Sequence, residues 1–126
     1  MAKQSVTATD APAALGPYSQ AVIANGFVFC SAQAGIDPAT GQLVAGGIEA
    51  QTERVIRNLK AVLEAAGSDL DKVVKVTVYL ASMDDFKAMN GSYAGFFKED
   101  QPARAAIEIG RLPLGALVGM ECVAVV

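Results

Sequence analysis

Arg104 stands in "PARAAIEI", a run made mostly of small and branched apolar side chains. A guanidinium does not give up its proton, so seating it there without a partner costs free energy. Two chemistries would satisfy it. One is an internal ion pair with Glu121 or Glu108. The other is an anion from outside, and a carboxylate suits the planar fork of donors. If residues 103–109 form a strand, Arg104, Ala106 and Glu108 point one way and Ala103, Ala105, Ile107 and Ile109 the other. The minimal side chain of Ala106 then leaves room beside the cation. Glu121 falls in a second apolar run, on the side of Val123 and Val125 and opposite Met120, Cys122, Ala124 and Val126. An acid among valines is a candidate for general acid–base work. Tyr18, Ser31 and Asn90 are weaker signals, since packing, a backbone hydrogen bond and a helix surface account for them equally well. The chain has no histidine. That removes Cys-His and Ser-His dyads and any histidine-ligated metal. Cys30 and Cys122 with scattered carboxylates make no zinc pattern, so neither metal nor cofactor is expected, and both thiols read as reduced and buried in strands.

The elements that must position these residues follow from periodicity and turn chemistry. "AVIANGFVFCSAQ" reads as a hairpin about Asn25-Gly26, a type I′ turn signal. Its second strand would show Phe27, Phe29, Ser31 and Gln33 on one face and Val28, Cys30 and Ala32 on the other. Residues 48–66 carry apolar positions at helical spacing, with Gly67 as the C-terminal cap. "KVVKVTVYL" is a strand with Val74, Val76, Val78 and Leu80 on one side and Lys75, Thr77 and Tyr79 on the other. Ser82 and Asp85 fit a capping box that opens a second helix, with the stripe Phe86, Met89, Tyr93 and Phe96 or Phe97. Two further strands, 103–109 and about 117–126, flank "RLPLGA". The expected fold is a single α+β domain over residues 1–126, a mixed sheet with two helices on one face.

Hydrophobic residues make up 52% of the chain, yet no apolar run reaches the ~18 residues of a membrane span. The excess predicts that the uncovered sheet face is buried against sister subunits. The formal net charge of −3 and the absence of a basic cluster disfavour nucleic acid as a partner. The stretch "MAKQSVTATD" lacks the apolar core of a signal peptide, which predicts a cytoplasmic protein.

"APAALGPYSQAV", "FCSAQAGIDPATGQLV", "GIEAQTERVIRNLKAVLEAAG", "VVKVTVYLASMDDFKAMNGSYAGFF", "PARAAIEIGRLP" and "MECVAVV" together resemble the RidA family, also called YjgF/YER057c/UK114. The resemblance runs from about Ala11 to the C-terminus. It implies a chorismate mutase-like α+β fold, a homotrimer, and ligand clefts built from neighbouring subunits. It also implies the arginine-bearing subclass, which hydrolyses 2-imino acids to 2-keto acids and ammonia. Those imines arise when pyridoxal phosphate-dependent dehydratases act on serine or threonine. On this resemblance Arg104 grips the substrate carboxylate, Glu121 positions water near the imine carbon, and Tyr18 lines the pocket. Ser31 precedes the glycine-rich turn, Asn90 lies near the cleft, and the backbone N–H of Ala106 faces the substrate. The sequence departs from the family's pattern at three places. Ala32 stands where Ser-Gly-Gln is common, Ala106 where Cys or Thr is common, and Gly119 where a side chain is usual. The competing expectations are a non-catalytic binder or sensor of small carboxylates, a ribonuclease or translation inhibitor, and a holdase chaperone that exposes apolar surface.

Overall fold

A computed structural model describes residues 2–126. Six strands form one sheet: β1 (Gln4–Val6), β2 (Ala21–Ala24), β3 (Phe27–Ala34), β4 (Val73–Leu80), β5 (Ala103–Glu108) and β6 (Val118–Val125). Two helices, α1 (Gly47–Ala65) and α2 (Phe86–Ala94), complete the chain. The sheet order is β1-β2-β3-β6-β4-β5, antiparallel throughout except for the parallel pair β4 and β5. The fold is therefore the expected mixed sheet with two helices. β1 went unread, because three residues carry too little alternation to announce a strand. No helix is long and apolar enough to cross a membrane among the described residues.

The core lies between one sheet face and α1. Val28, Cys30, Val76, Val78, Leu80, Met120, Cys122 and Ala124 meet Val55, Ile56, Leu59, Val62 and Leu63, all buried. Gly67 ends α1 as expected: its φ is 82°, and Ser68 N–H donates to Leu63 O at 2.8 Å. Asn58, buried on α1, donates to Ala34 O at 3.1 Å and Ile36 O at 2.9 Å, which ties the end of β3 to the helix. The approach is close enough to depend on a glycine. A Cβ on Gly35 would sit 2.9 Å from Gln51 Cα and 3.0 Å from Gln51 O. Backbone cannot yield as a flexible side chain can, so Gly35→Ala is expected to cost about 1–3 kcal/mol. The measurement is the midpoint of thermal or urea unfolding.

Cys30 and Cys122 are unpaired thiols, buried as expected and opposite one another on β3 and β6. A hydrogen bond from one sulfur to the other and burial push the Cys122 thiol far up, so it stays protonated and unreactive.

Three local expectations are corrected. The register of β3 against β6 shifts between Cys30 and Gln33, so Gln33 lies opposite the buried Met120 while Ala32 is exposed. A bulge exchanges the two faces that strict alternation assigned to these residues. A second irregularity, between Val73 and Lys75, buries Val73 and leaves Val74 exposed. The Ser82–Asp85 capping box does not open α2. Ser82 Oγ accepts from Asp84 N–H at 3.1 Å and caps a 3₁₀ turn over Met83–Asp85, from which α2 continues.

The sheet face away from the helices carries Phe27, Phe29, Ile107 and Val125, exposed by 39%, 48%, 46% and 36%. The ring centroids of Phe27 and Phe29 lie 6.3 Å apart. Nothing among the described residues covers this apolar surface.

Candidate functional site

Arg104 lies on the edge strand β5, opposite Val76 of β4, and so points to the helix-covered side. The aromatic stripe of α2 receives it. The guanidinium carbon sits 4.8 Å from the Tyr93 ring centroid and 5.7 Å from that of Phe86. Such contacts hold a cation in orientation without neutralising it. Neither internal ion pair left open by the sequence is made. The one salt bridge among the described residues joins Arg57 to Glu53 at 3.5 Å, and Glu108 instead accepts from Met83 N–H at 2.8 Å.

Beside Arg104 opens a cavity of about 310 Å³, lined also by Asn90, Tyr93, Ala94, Gln101 and Pro102. Two polar atoms near it, Asn90 Oδ1 and the Tyr93 hydroxyl, are buried without a hydrogen-bond partner. Burial pushes the Tyr93 phenol up, and the Arg104 charge partly offsets this. Ala106 is half-buried opposite Val78, on the same face as Arg104. Cation, neutral phenol and amide thus stand around space with unmet hydrogen-bonding capacity, a polar arrangement that suits a small anion carrying a further donor.

Glu121 sits elsewhere. It lies opposite Thr77 on the face away from the helices, half-buried. The Tyr79 hydroxyl donates to Glu121 Oε1. That hydrogen bond, then burial, then the carboxylate charge push the Tyr79 phenol above its usual range. Near this pair is a second cavity of about 240 Å³, more apolar, whose lining includes Tyr18, Leu15, Ala32, Tyr79, Leu114 and Gly119. The Tyr18 loop is held from both ends. Ser31 Oγ donates to Ser19 O at 2.6 Å. The buried Gln20 side chain accepts from Ala8 N–H at 2.6 Å and donates to Pro12 O at 2.7 Å. The Tyr18 ring itself remains exposed, and its hydroxyl accepts from Leu15 N–H at 3.3 Å.

The sequence candidates therefore form two groups. Arg104, Asn90 and Ala106 gather on the helix side at the β5 edge. Tyr18, Ala32 and Glu121 belong to the opposite face, with Ser31 anchoring the Tyr18 loop. The register decides this: Val76 and Thr77, the partners of Arg104 and Glu121, are consecutive residues and point to opposite faces. One chain does not bring the arginine and the acid together. Sequence reasoning missed Tyr79 and Gln20, and took Tyr93 only as core. Tyr79 did carry a signal, as a phenol on the polar side of its strand, but its partner lies 42 residues away.

A family model described as endoribonuclease L-PSP matches residues 8–126. A RutC family protein of Pyrococcus abyssi is 50% identical over 98% of this chain and 98% of its own length. The 2-iminobutanoate/2-iminopropanoate deaminase of Mus musculus is 45% identical over 98% of this chain and 91% of its own. A solved structure from Yersinia pestis, described as a member of the conserved Rid protein family, superposes with a TM-score of 0.96 at 44% identity. That match covers 99% of this chain and all of the other.

Proposed function

This chain belongs to the YjgF/RidA family, and from that premise we propose that it hydrolyses small 2-imino acids to 2-keto acids and ammonia. The observation that carries the reading is Arg104: a half-buried guanidinium with no carboxylate partner, aimed past aromatic rings at a cavity with unmet polar atoms. A carboxylate bound in its fork supplies the missing anion and fixes the plane of the adjacent C=N bond. The Ala106 backbone N–H and the Asn90 amide then face the reacting end.

The site is completed by a neighbouring subunit in a homotrimer. The uncovered apolar face with Phe27, Phe29, Ile107 and Val125 supports association, since burying it removes large hydrophobic surface from water. Arg104 and Glu121 lie on opposite faces of one sheet, so each cleft pairs the arginine of one chain with the Tyr18 and Glu121 side of the next. The chemistry asks little beyond placement. An imine is already electrophilic, and more so when protonated. Glu121, as carboxylate, accepts a proton from the attacking water while oxygen bonds to the imine carbon. With the imine nitrogen protonated, this gives a neutral carbinolamine. Glu121 then passes its proton to the nitrogen and takes the hydroxyl proton as the C=O bond forms, and ammonia leaves with the C–N electron pair to give the keto acid. Holding water and imine in register and shuttling one proton contributes about 10²–10⁴-fold by acid–base catalysis, besides the gain from orientation. Glu121 also argues against a pure carboxylate binder, for which an acid near an anionic ligand is a handicap.

An imine-trapping competition tests the reading. A threonine dehydratase generates 2-iminobutanoate while semicarbazide captures it. This protein is expected to divert imine to 2-ketobutanoate and so lower the yield of semicarbazone formed from the imine. An unchanged semicarbazone yield at unchanged dehydratase turnover would show a site that binds carboxylates without processing imines.

A further inference from the structure

We infer that Tyr79 is a positioning residue for Glu121: its hydroxyl fixes one carboxylate oxygen so that the other is presented to the water that attacks the imine. This rests on the deaminase reading and adds to it a residue that the sequence did not single out as a site candidate.

The geometry is local and depends on β4 and β6. Tyr79 is opposite Gly119 across the antiparallel pair, and Glu121 is opposite Thr77, two residues further along the same face. The Tyr79 hydroxyl reaches diagonally across the ladder to Glu121, a span within reach of a long aromatic side chain. The glycine opposite Tyr79 presents no side chain to compete for that surface. Its Cβ would also meet Gln33 O at 3.3 Å and a Leu112 methyl at 3.4 Å. A side chain at 119 would have to push these neighbours back by a few tenths of an ångström, and the glycine leaves the face to Tyr79.

The carboxylate has no other hold. The Tyr79 bond is the only side-chain hydrogen bond to Glu121 among the described residues, and it engages Oε1 alone. Lys75 lies on the same face of β4, opposite Val123, but no lysine or arginine nitrogen comes within 4.0 Å of Glu121. Thr77 lies opposite it on β4, Val123 is two residues along β6 on this face, and the Ser31–Ala32 bulge of β3 flanks it on the other side. A carboxylate on a flexible stem samples several rotamers, and orienting it costs entropy at each turnover unless a partner orders it beforehand. One phenol donor does this while leaving Oε2 to accept a proton from water. The Tyr79 ring also lines the cavity shared with Tyr18 and Ala32. The group that orders Glu121 therefore also walls the space on that side of the cleft.

The test uses the full-length protein as wild type, Tyr79→Phe, Glu121→Gln and the double variant, assayed on 2-iminobutanoate. Tyr79→Phe keeps the ring and its packing and removes only the hydroxyl. It is expected to lower kcat by about 10–100-fold, in line with one hydrogen bond to a charged group, with KM within about threefold. In the Glu121→Gln background the same change is expected to cost almost nothing, because the two residues act as a unit. A second readout needs no substrate. Phenolate absorbance is followed in alkaline titrations of wild type, Tyr79→Phe and Glu121→Gln. Tyr79 is expected to ionise later than an ordinary tyrosine in wild type and to return towards the ordinary range in Glu121→Gln.

An active wild type whose Tyr79→Phe variant keeps full kcat overturns the inference and leaves the deaminase reading standing. So does a Tyr79→Phe loss confined to KM, or one of equal size in the Glu121→Gln background. A wild type that does not hydrolyse imines overturns the deaminase reading and the role assigned to Tyr79 with it. The titration then separately decides whether the pair itself exists.

Discussion

Arg104→Ala is expected to lower kcat/KM for 2-iminobutanoate by about 10³-fold or more, while the protein stays folded. The size follows from the role proposed for the residue. A bidentate guanidinium–carboxylate pair in a partly desolvated cleft is a strong, charge-assisted interaction, and it also sets the plane in which water meets the imine. Loss of the pair removes affinity and orientation together. The stability expectation separates this role from a structural one. A guanidinium in an internal ion pair leaves a stranded carboxylate when truncated, which costs about 3–5 kcal/mol. Arg104 has no such partner and rests on the Tyr93 and Phe86 rings. Truncation should therefore cost only the cation–π contact, about 0.5–2 kcal/mol. Steady-state kinetics in the coupled dehydratase assay and a urea unfolding curve give the two numbers. Near-normal turnover sinks the assignment of Arg104. A stability loss above the cation–π range points to a structural role instead. Arg104→Lys keeps the charge without the fork, so it should recover only part of the rate.

What could be read from the sequence divides along physical lines. The faces of β5 and β6 were legible because side-chain alternation is local: Arg104 with Ala106, and Glu121 with Val123, needed nothing from the rest of the fold. The sheet with two helices on one face was legible from the long amphipathic period of α1 and from turn signals such as Asn25-Gly26, where Asn25 takes a φ of 53°. Whether Arg104 and Glu121 meet was not legible. It depends on which residues of β4 stand opposite them, and those are set by the parallel crossover through α2 and the register of β6. Both strands read equally well in either phase. Ala32 and Gln33 were misplaced for a related reason. One residue gained at a bulge reverses every face beyond it, and no residue type announces the bulge. Tyr79 stayed unnoticed because its importance lies in one hydrogen bond to a strand far along the chain.

The same register argument leads to the second large effect. In the homotrimer proposed above, Arg104→Ala and Glu121→Gln trimers should each be nearly inactive, and trimers assembled from a mixture of the two should regain activity. Each homotrimer lacks one of the two groups in every cleft. In a mixed trimer, a cleft formed between a Glu121→Gln chain that supplies Arg104 and an Arg104→Ala chain that supplies Glu121 contains both native groups. With equal amounts and random assembly, the first condition holds for half the clefts and the second, on a different chain, for half of those. About a quarter of wild-type activity is then expected, since the clefts of a cyclic trimer each draw on two distinct subunits. Co-refolding from denaturant forms the mixture, and native mass spectrometry confirms that mixed trimers are present. Were both groups supplied by one chain, no cleft in any mixture would be intact and activity would stay at the level of the single variants. That outcome, in verified mixed trimers, would refute the assembly of the site from opposite faces of neighbouring sheets. The placement of Arg104 beside Val76 and of Glu121 beside Thr77 argues for recovery, because successive strand residues cannot point into the same side of their own sheet.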